Sequence, residues 1–170
     1  MANTFELIAS STVGSGGTAN ITFSSIAGTW TDLLIKLSAA SNRAVNDTFN
    51  LTFNGSGSSY SGKALYGNGT AAASFATSSA KVGDLSANGT NYSNVFANDE
   101  IYVPNYTSSN HKSVSADSVS EANATGAEMT LIAALWSNTD AITSITIEPN
   151  VGSLLLEHST AYLYGVNKNA

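Results

Sequence analysis

Hydrophobic and polar positions alternate with period two along most of this chain, the spacing of strands whose successive side chains point to opposite faces. The cleanest run is TFNLTFNG, in which Phe49, Leu51 and Phe53 alternate with Thr48, Asn50 and Thr52. The same pattern predicts strands in TFELIAS, with Phe5, Leu7 and Ala9 inward, in NITF with Ile21 and Phe23, and in DLLIKLS with Leu33, Ile35 and Leu37. KALYG near Leu65, EIYVP with Ile101 and Val103, KSVSADS with Val114 and Ala116, SLLLEH at 153–158, and STAYLYGV with Ala161 and Leu163 continue the series.

The segment EMTLIAALWSNTDAITSITIEPN, residues 128–150, carries the strongest pair of runs. Met129, Leu131, Ala133 and Leu135 fall on one face of an extended chain and Thr130, Ile132, Ala134 and Trp136 on the other. Both faces are largely apolar, which predicts a strand buried on both sides; Leu and Ala leave a short helix open, but there is no convincing N-cap for one. AITSITIEPN alternates Thr143, Ile145 and Ile147 with Ser144, Thr146 and Glu148, and stops at Pro149, which cannot donate to a ladder. SNTDA between the runs supplies turn residues, so the expectation is a hairpin.

GSGG, NGSGSS, GNGT and ANGTN punctuate the strands with residues that tolerate positive φ or cap a turn. About ten short strands without an amphipathic helix predict one all-β domain over residues 1–170, a two-sheet antiparallel β-sandwich with a jelly roll as the expected topology. Residues 70–94, rich in Ala, Ser and Gly, fit a long loop, an irregular edge strand or a segment ordered by a partner. No fixed-period repeat is present.

Composition sharpens this picture. Charged residues make up only 11% of the 170, so hydroxyls and amides must solvate most of the surface, while the 42% of hydrophobic residues suffices for a core. The chain has no Cys, so packing and neighbouring subunits are its sources of stability. With 6 Lys plus Arg and a formal charge of -6, it cannot assemble a basic phosphate-binding surface, and nucleic acid is a poor partner. The start, MANTFELIASSTVG, lacks the pattern of a secretory signal, and no segment approaches a membrane span, so neither export nor membrane insertion is expected.

Candidate chemistry is sparse. His111 and His158 could be imagined in a hydrolytic triad, but no Gly-x-Ser-x-Gly elbow accompanies them, and surface histidines are the better reading. Asp32, Asp47, Asp84, Asp99, Glu100, Asp117 and Asp140 lack the spacing of a calcium loop, and solvated carboxylates at turns and strand ends are expected, with no metal and no cofactor. A glycoside hydrolase would need two convergent carboxylates, which nothing in the spacing suggests. The N-x-[ST] triplets at Asn20, Asn54, Asn68, Asn105 and Asn123 are what this composition generates by accident. Trp30 and Trp136 flank apolar runs and are expected to pack in the core or at a sheet end, whereas Tyr102, Tyr162 and Tyr164 fall opposite the inward residues of their strands.

MANTFELIASSTVGSGG, LTFNGSGSSYSGKALYGNG, EIYVPNYTSSNHKSVSADSVSEANAT and LWSNTDAITSITI…STAYLYGV together resemble small structural proteins of tailed bacteriophages, especially phages of aquatic bacteria. The resemblance spans most of the chain, with the segments in the same order. It implies a non-enzymatic virion component made in the bacterial host cytoplasm: a capsid decoration protein binding the major capsid shell, a head fibre, or a tail-fibre tip. Decoration of the head, as a homotrimer in contact with major capsid protein or other virion proteins, is the leading expectation. The alternative is a module at a fibre tip that binds host glycans. Either would use outward side chains, for which Tyr102, Asn105, Tyr106, Tyr162 and Tyr164 are the candidates.

Overall fold

A computed structural model describes residues 4–86 and 94–167, and every regular element among them is a strand. The strands are β1 (Phe5–Thr12), β2 (Ile21–Phe23), β3 (Asp32–Ala39), β4 (Asp47–Phe53), β5 (Tyr60–Gly67), β6 (Ala72–Thr77), β7 (Lys81–Leu85), β8 (Ala97–Val103), β9 (Lys112–Glu121), β10 (Ala127–Trp136), β11 (Ile145–Pro149) and β12 (Thr160–Val166). Eight form one sheet in the order β1-β12-β3-β8-β9-β10-β5-β6, and four form a second in the order β2-β11-β4-β7. Each of these neighbouring pairs is antiparallel, and the two sheets pack face to face as a β-sandwich. The expected sandwich is therefore present, with unequal sheets, while the expected jelly-roll topology is not shown.

Strand β9 alternates buried and exposed residues along its whole length, and β4 alternates buried with half-buried ones, as their sequences predict. The core between the sheets contains Phe49, Leu51 and Phe53 from β4, Ile145 and Ile147 from β11, and Leu33, Ile35, Leu37, Ile101 and Val103 from β3 and β8. One end is closed by an aromatic group: the rings of Phe53 and Trp136 lie 5.5 Å apart at 57°, and those of Tyr60 and Trp136 6.3 Å apart at 20°. The Tyr60 hydroxyl accepts a 2.8 Å hydrogen bond from the Phe53 amide, so burial of the phenol leaves its oxygen partnered. Trp30, half-buried, packs over Gly165 and donates from Nε1 to Glu6 Oε2 at 2.9 Å.

Several expectations are corrected. Residues 128–150 are not a hairpin: both edges of β10 are occupied, by β9 and β5, while β11 lies between β2 and β4 in the other sheet. Residues 137–144 cross between sheets and are clamped by Asn54, whose Oδ1 accepts from the Thr143 and Ser144 amides at 2.8 and 3.1 Å and whose Nδ2 donates to the Ala141 carbonyl at 2.8 Å. Nor is β10 buried on both sides, since Met129 and Leu131 are 53% and 47% exposed.

In β1 a bulge between Leu7 and Ala9 switches the face, leaving Phe5 and Leu7 outside and packing Ile8 and Ala9 against the core. SLLLEH forms no strand but two isolated bridges, from Leu155 to Thr18 and to Ser41. Residues 70–86 contain the edge strand β6 and then β7; the rest of the 70–94 segment, 87–93, falls outside the described residues.

Candidate functional site

The outer face of the eight-stranded sheet is the first candidate, because the register lines up its side chains in rows. One row crosses all eight strands: Leu7, Tyr164, Leu34, Tyr102, Ser115, Ala133, Lys63 and Ala76. The next carries Tyr162, Lys36, Glu100, Asp117, Leu131, Leu65 and Ser74 from β12 to β6. Between β8 and β6 the face hollows into a trough of about 800 Å³, whose apolar lining includes Leu65, Phe75, Leu131 and Ala133 and whose polar side includes Glu100, Tyr102 and Asp117. Leu65 is 62% exposed, and Met129 and Val119 extend the apolar surface beside the trough. This concentration of exposed aliphatic side chains makes the face the candidate docking surface. Lys36 forms an ion pair with Glu100 across β3 and β8, and Asp117 stands directly beside Glu100 on β9.

The five residues anticipated from sequence are partly brought together here. Tyr102 and Tyr164 share a row with Leu34 between them, and Tyr162 stands in the adjacent row, 39% exposed. Tyr102 is only half exposed, and its hydroxyl donates to Asp32 Oδ2 at 2.5 Å; that bond to a carboxylate, with burial adding to it, pushes the phenol up to about 12. Asn105 sits on an exposed turn at φ 48°, its amide donating to the other Asp32 oxygen at 2.7 Å. Tyr106 is a correction: it is fully buried, and its hydroxyl donates to the Ala27 carbonyl. The chain turns after β8 at Pro104 and Asn105, which ends the alternation and carries Tyr106 under the sheet.

The second candidate was missed from sequence altogether. Four neighbouring strands change character at one level of their inner faces, where Tyr66, Thr130, Ser118 and Asp99 are cross-strand neighbours on β5, β10, β9 and β8. Toward one end of the sandwich from this level lie Ala64, Ile132, Ala116 and Ile101, all buried; toward the other lie Glu128 and Ser120. Asp84 comes from β7 of the opposite sheet. Its amide donates to Ser118 Oγ at 2.8 Å, Ser118 donates to Asp99 Oδ1, and Thr130 Oγ1 donates to Asp84 Oδ2 at 2.6 Å.

Asp99 is 1% exposed, and its second oxygen, Oδ2, is enclosed without a partner. Burial holds its carboxyl well above the usual carboxylate range against the lowering effect of Ser118, and the neighbouring Asp84 charge adds to the rise. Asp84 is raised as well, chiefly by burial, with Thr130 opposing. Two clefts open at this end, of about 370 and 300 Å³, and Asn46 and Glu128 line both.

Of the remaining acids, Glu100, Asp117 and Asp140 are exposed, as expected, whereas Asp32 and Asp47 are not. Asp32 and Asp47 are buried clamps, Asp47 accepting from the amides of Thr48, Val151 and Gly152 at 2.8, 3.2 and 2.8 Å. His111 and His158 are exposed on loops. No group of three or more His, Cys, Asp or Glu side chains that could hold a metal ion occurs among the described residues. Comparison with protein-family models, with curated proteins and with solved structures finds no match.

Proposed function

We propose that this chain is a non-enzymatic structural protein of a tailed-bacteriophage virion, a decoration protein that binds the shell of major capsid protein through the outer face of its large sheet. The observation that carries the reading is the cluster of exposed aliphatic side chains, Leu65, Leu131, Met129 and Val119, at and beside the trough, on a chain with only 11% charged residues. The family resemblance of the sequence supplies the setting. Attachment then rests on apolar and hydrogen-bonded contacts, because few basic residues are available for ion pairs. One small module binds weakly, so a homotrimer that engages several subunits together gains an effective affinity of roughly 10² to 10⁴.

The test is virion occupancy of the Leu65→Lys and Leu131→Lys double variant, measured by mass spectrometry of purified particles across a salt series. Loss of occupancy at every salt concentration, with the fold intact, is the expected result. Full occupancy of the variant, or absence of the wild-type chain from particles, overturns the reading.

A further inference from the structure

Of the strands that end the two sheets, three are guarded against pairing with another chain. β1 carries the charged Glu6 and a bulge between Leu7 and Ala9, β2 has only 3 residues, and β7 carries Lys81, Asp84 and a bulge in its ladder with β4. β6 has none of these devices. Its sequence, AASFAT, contains no charge and no Pro, and its register with β5 runs unbroken from Thr77 against Gly62 to Ala72 against Gly67. Every residue but the last is exposed, and no described strand lies on its far side.

Two hydrogen bonds fix the direction of its free backbone groups. The Ser137 amide donates to the Ser59 carbonyl at 2.8 Å, so the odd-numbered residues of β5 bond β10, and Gly62, Ala64 and Tyr66 are left to bond β6. The Asn68 amide donates to the Ala71 carbonyl at 3.2 Å, and the same alternation counted along the hairpin again pairs Tyr66 with Ala73, Ala64 with Phe75 and Gly62 with Thr77. Ala72, Ser74 and Ala76 therefore turn their amides and carbonyls to the open edge.

A strand that presents these three residues can pair antiparallel with its own copy about a two-fold axis beside Ser74. Ser74 then meets Ser74, and Ala72 meets Ala76 on either side of the axis, each pair exchanging two hydrogen bonds. On the inner face Phe75, 37% exposed, comes to lie against Ala73 of the second copy. On the outer face the row Leu131, Leu65, Ser74 runs through the axis into its own image, so the exposed aliphatic side chains of both copies join in one surface. No like charges stand opposite each other along this edge, although the chain has a formal charge of -6. A foreign strand would match the hydrogen bonds, but the continuous aliphatic row belongs to a second copy alone.

We infer that β6 is a self-recognition edge, through which two copies of this chain pair antiparallel over Ala72–Thr77 and join their large sheets across a two-fold axis. The 6 residues a side fall short of the roughly 20–30 of a standard interface, so the pair is weak and forms at high local concentration. The contact lies in the plane of the sheet, leaves the outer face uncovered, and stands whether or not that face docks on a capsid.

The experiment is amide hydrogen exchange of the whole chain, read by nuclear magnetic resonance from micromolar to millimolar concentration, with sedimentation equilibrium on the same samples. Ala73, Phe75 and Thr77 should be protected throughout by β5, whereas Ala72, Ser74 and Ala76 should gain protection as the mass doubles. Ser74→Pro removes an amide that faces away from β5 and should weaken the doubling at least about tenfold. Ser74→Lys keeps the amide but sets two ammonium groups face to face, and should weaken the doubling most at low salt. Exchange at Ala72, Ser74 and Ala76 that does not change with concentration, or doubling undiminished in both variants, overturns the inference. Should Ser74→Pro fail to fold, Ser74→Lys and the wild-type exchange pattern decide.

Discussion

Asp99→Asn should flatten the pH dependence of stability. In the folded chain the Asp99 carboxyl is fully buried on β8, accepts one hydrogen bond from Ser118, and leaves Oδ2 unpartnered, so its neutral form is favoured. In the unfolded chain it is an ordinary carboxylate that ionises near pH 3.9. Its folded pKa is therefore raised, and the sign follows: the native state holds a proton that the unfolded state has released. The stability this group contributes is fully present below its unfolded pKa and is lost as pH rises through its raised folded value. One proton of difference corresponds to a slope of at most about 1.4 kcal/mol per pH unit.

Asp84, across the interface between the sheets, is raised too and adds a slope of the same sign. The other charged groups that affect this pair are Asp117, Glu128 and Lys81, each further from the buried oxygens than Ser118 and Thr130, which bond them directly. The Asn variant keeps an amide oxygen to accept from Ser118 and cannot ionise. Urea unfolding at a series of pH values from about 3 to 8 gives the slope for each protein. The wild type should lose stability relative to Asp99→Asn as pH rises above the ordinary carboxylate range, and the two curves should converge in acid. Parallel curves over the whole range would overturn this account, because they would mean that Asp99 is equally protonated in both states.

Three further outcomes are expected. Tyr106→Ser should cost about 3–5 kcal/mol through the cavity it leaves, whereas Tyr162→Ser, on the exposed face, should change stability little; thermal melts separate the two. Tyr102→Phe should cost about 1–2 kcal/mol by removing the donor to the buried Asp32 carboxylate, and spectrophotometric titration should lose the phenol that ionises near 12. Gly83→Ala should destabilise by at least about 1–3 kcal/mol, since an added Cβ would stand 2.2 Å from the Phe49 ring. Gly14→Ala, which meets nothing within 4 Å, serves as the control in the same denaturant assay.

The fold class was legible because it is a local property. Alternation in β4, β8 and β9 marks inner and outer faces strand by strand, and the Gly, Asn and Ser stretches between strands mark the turns. Tyr162 as surface follows from the same parity, and Trp136 as core from the apolar run it flanks. Parity fails where the chain departs from a straight ladder: the bulge after Leu7 reversed the face of β1, and the turn at Pro104 and Asn105 buried Tyr106. Pairing partners were not legible either, because β10 and β11 are adjacent in sequence yet join different sheets, and that choice depends on which strands from elsewhere in the chain occupy each edge.

The polar end shows the same division most sharply. β9 and β10 each turn from aliphatic to polar inner residues at Ser118 and Thr130, β5 carries Tyr66 at the same level, and β8 places Asp99 between buried Ile101 and Ala97; in a single strand these look like ordinary variation. Only the registers of the assembled sheet place the four residues at one level, with Asp84 brought opposite them by the second sheet. Side-chain alternation is written into the covalent chain and makes it a two-faced all-β chain, but coincidence between strands is fixed by cross-strand hydrogen bonding and by the packing of one sheet on the other, and these alone bring its carboxylates together.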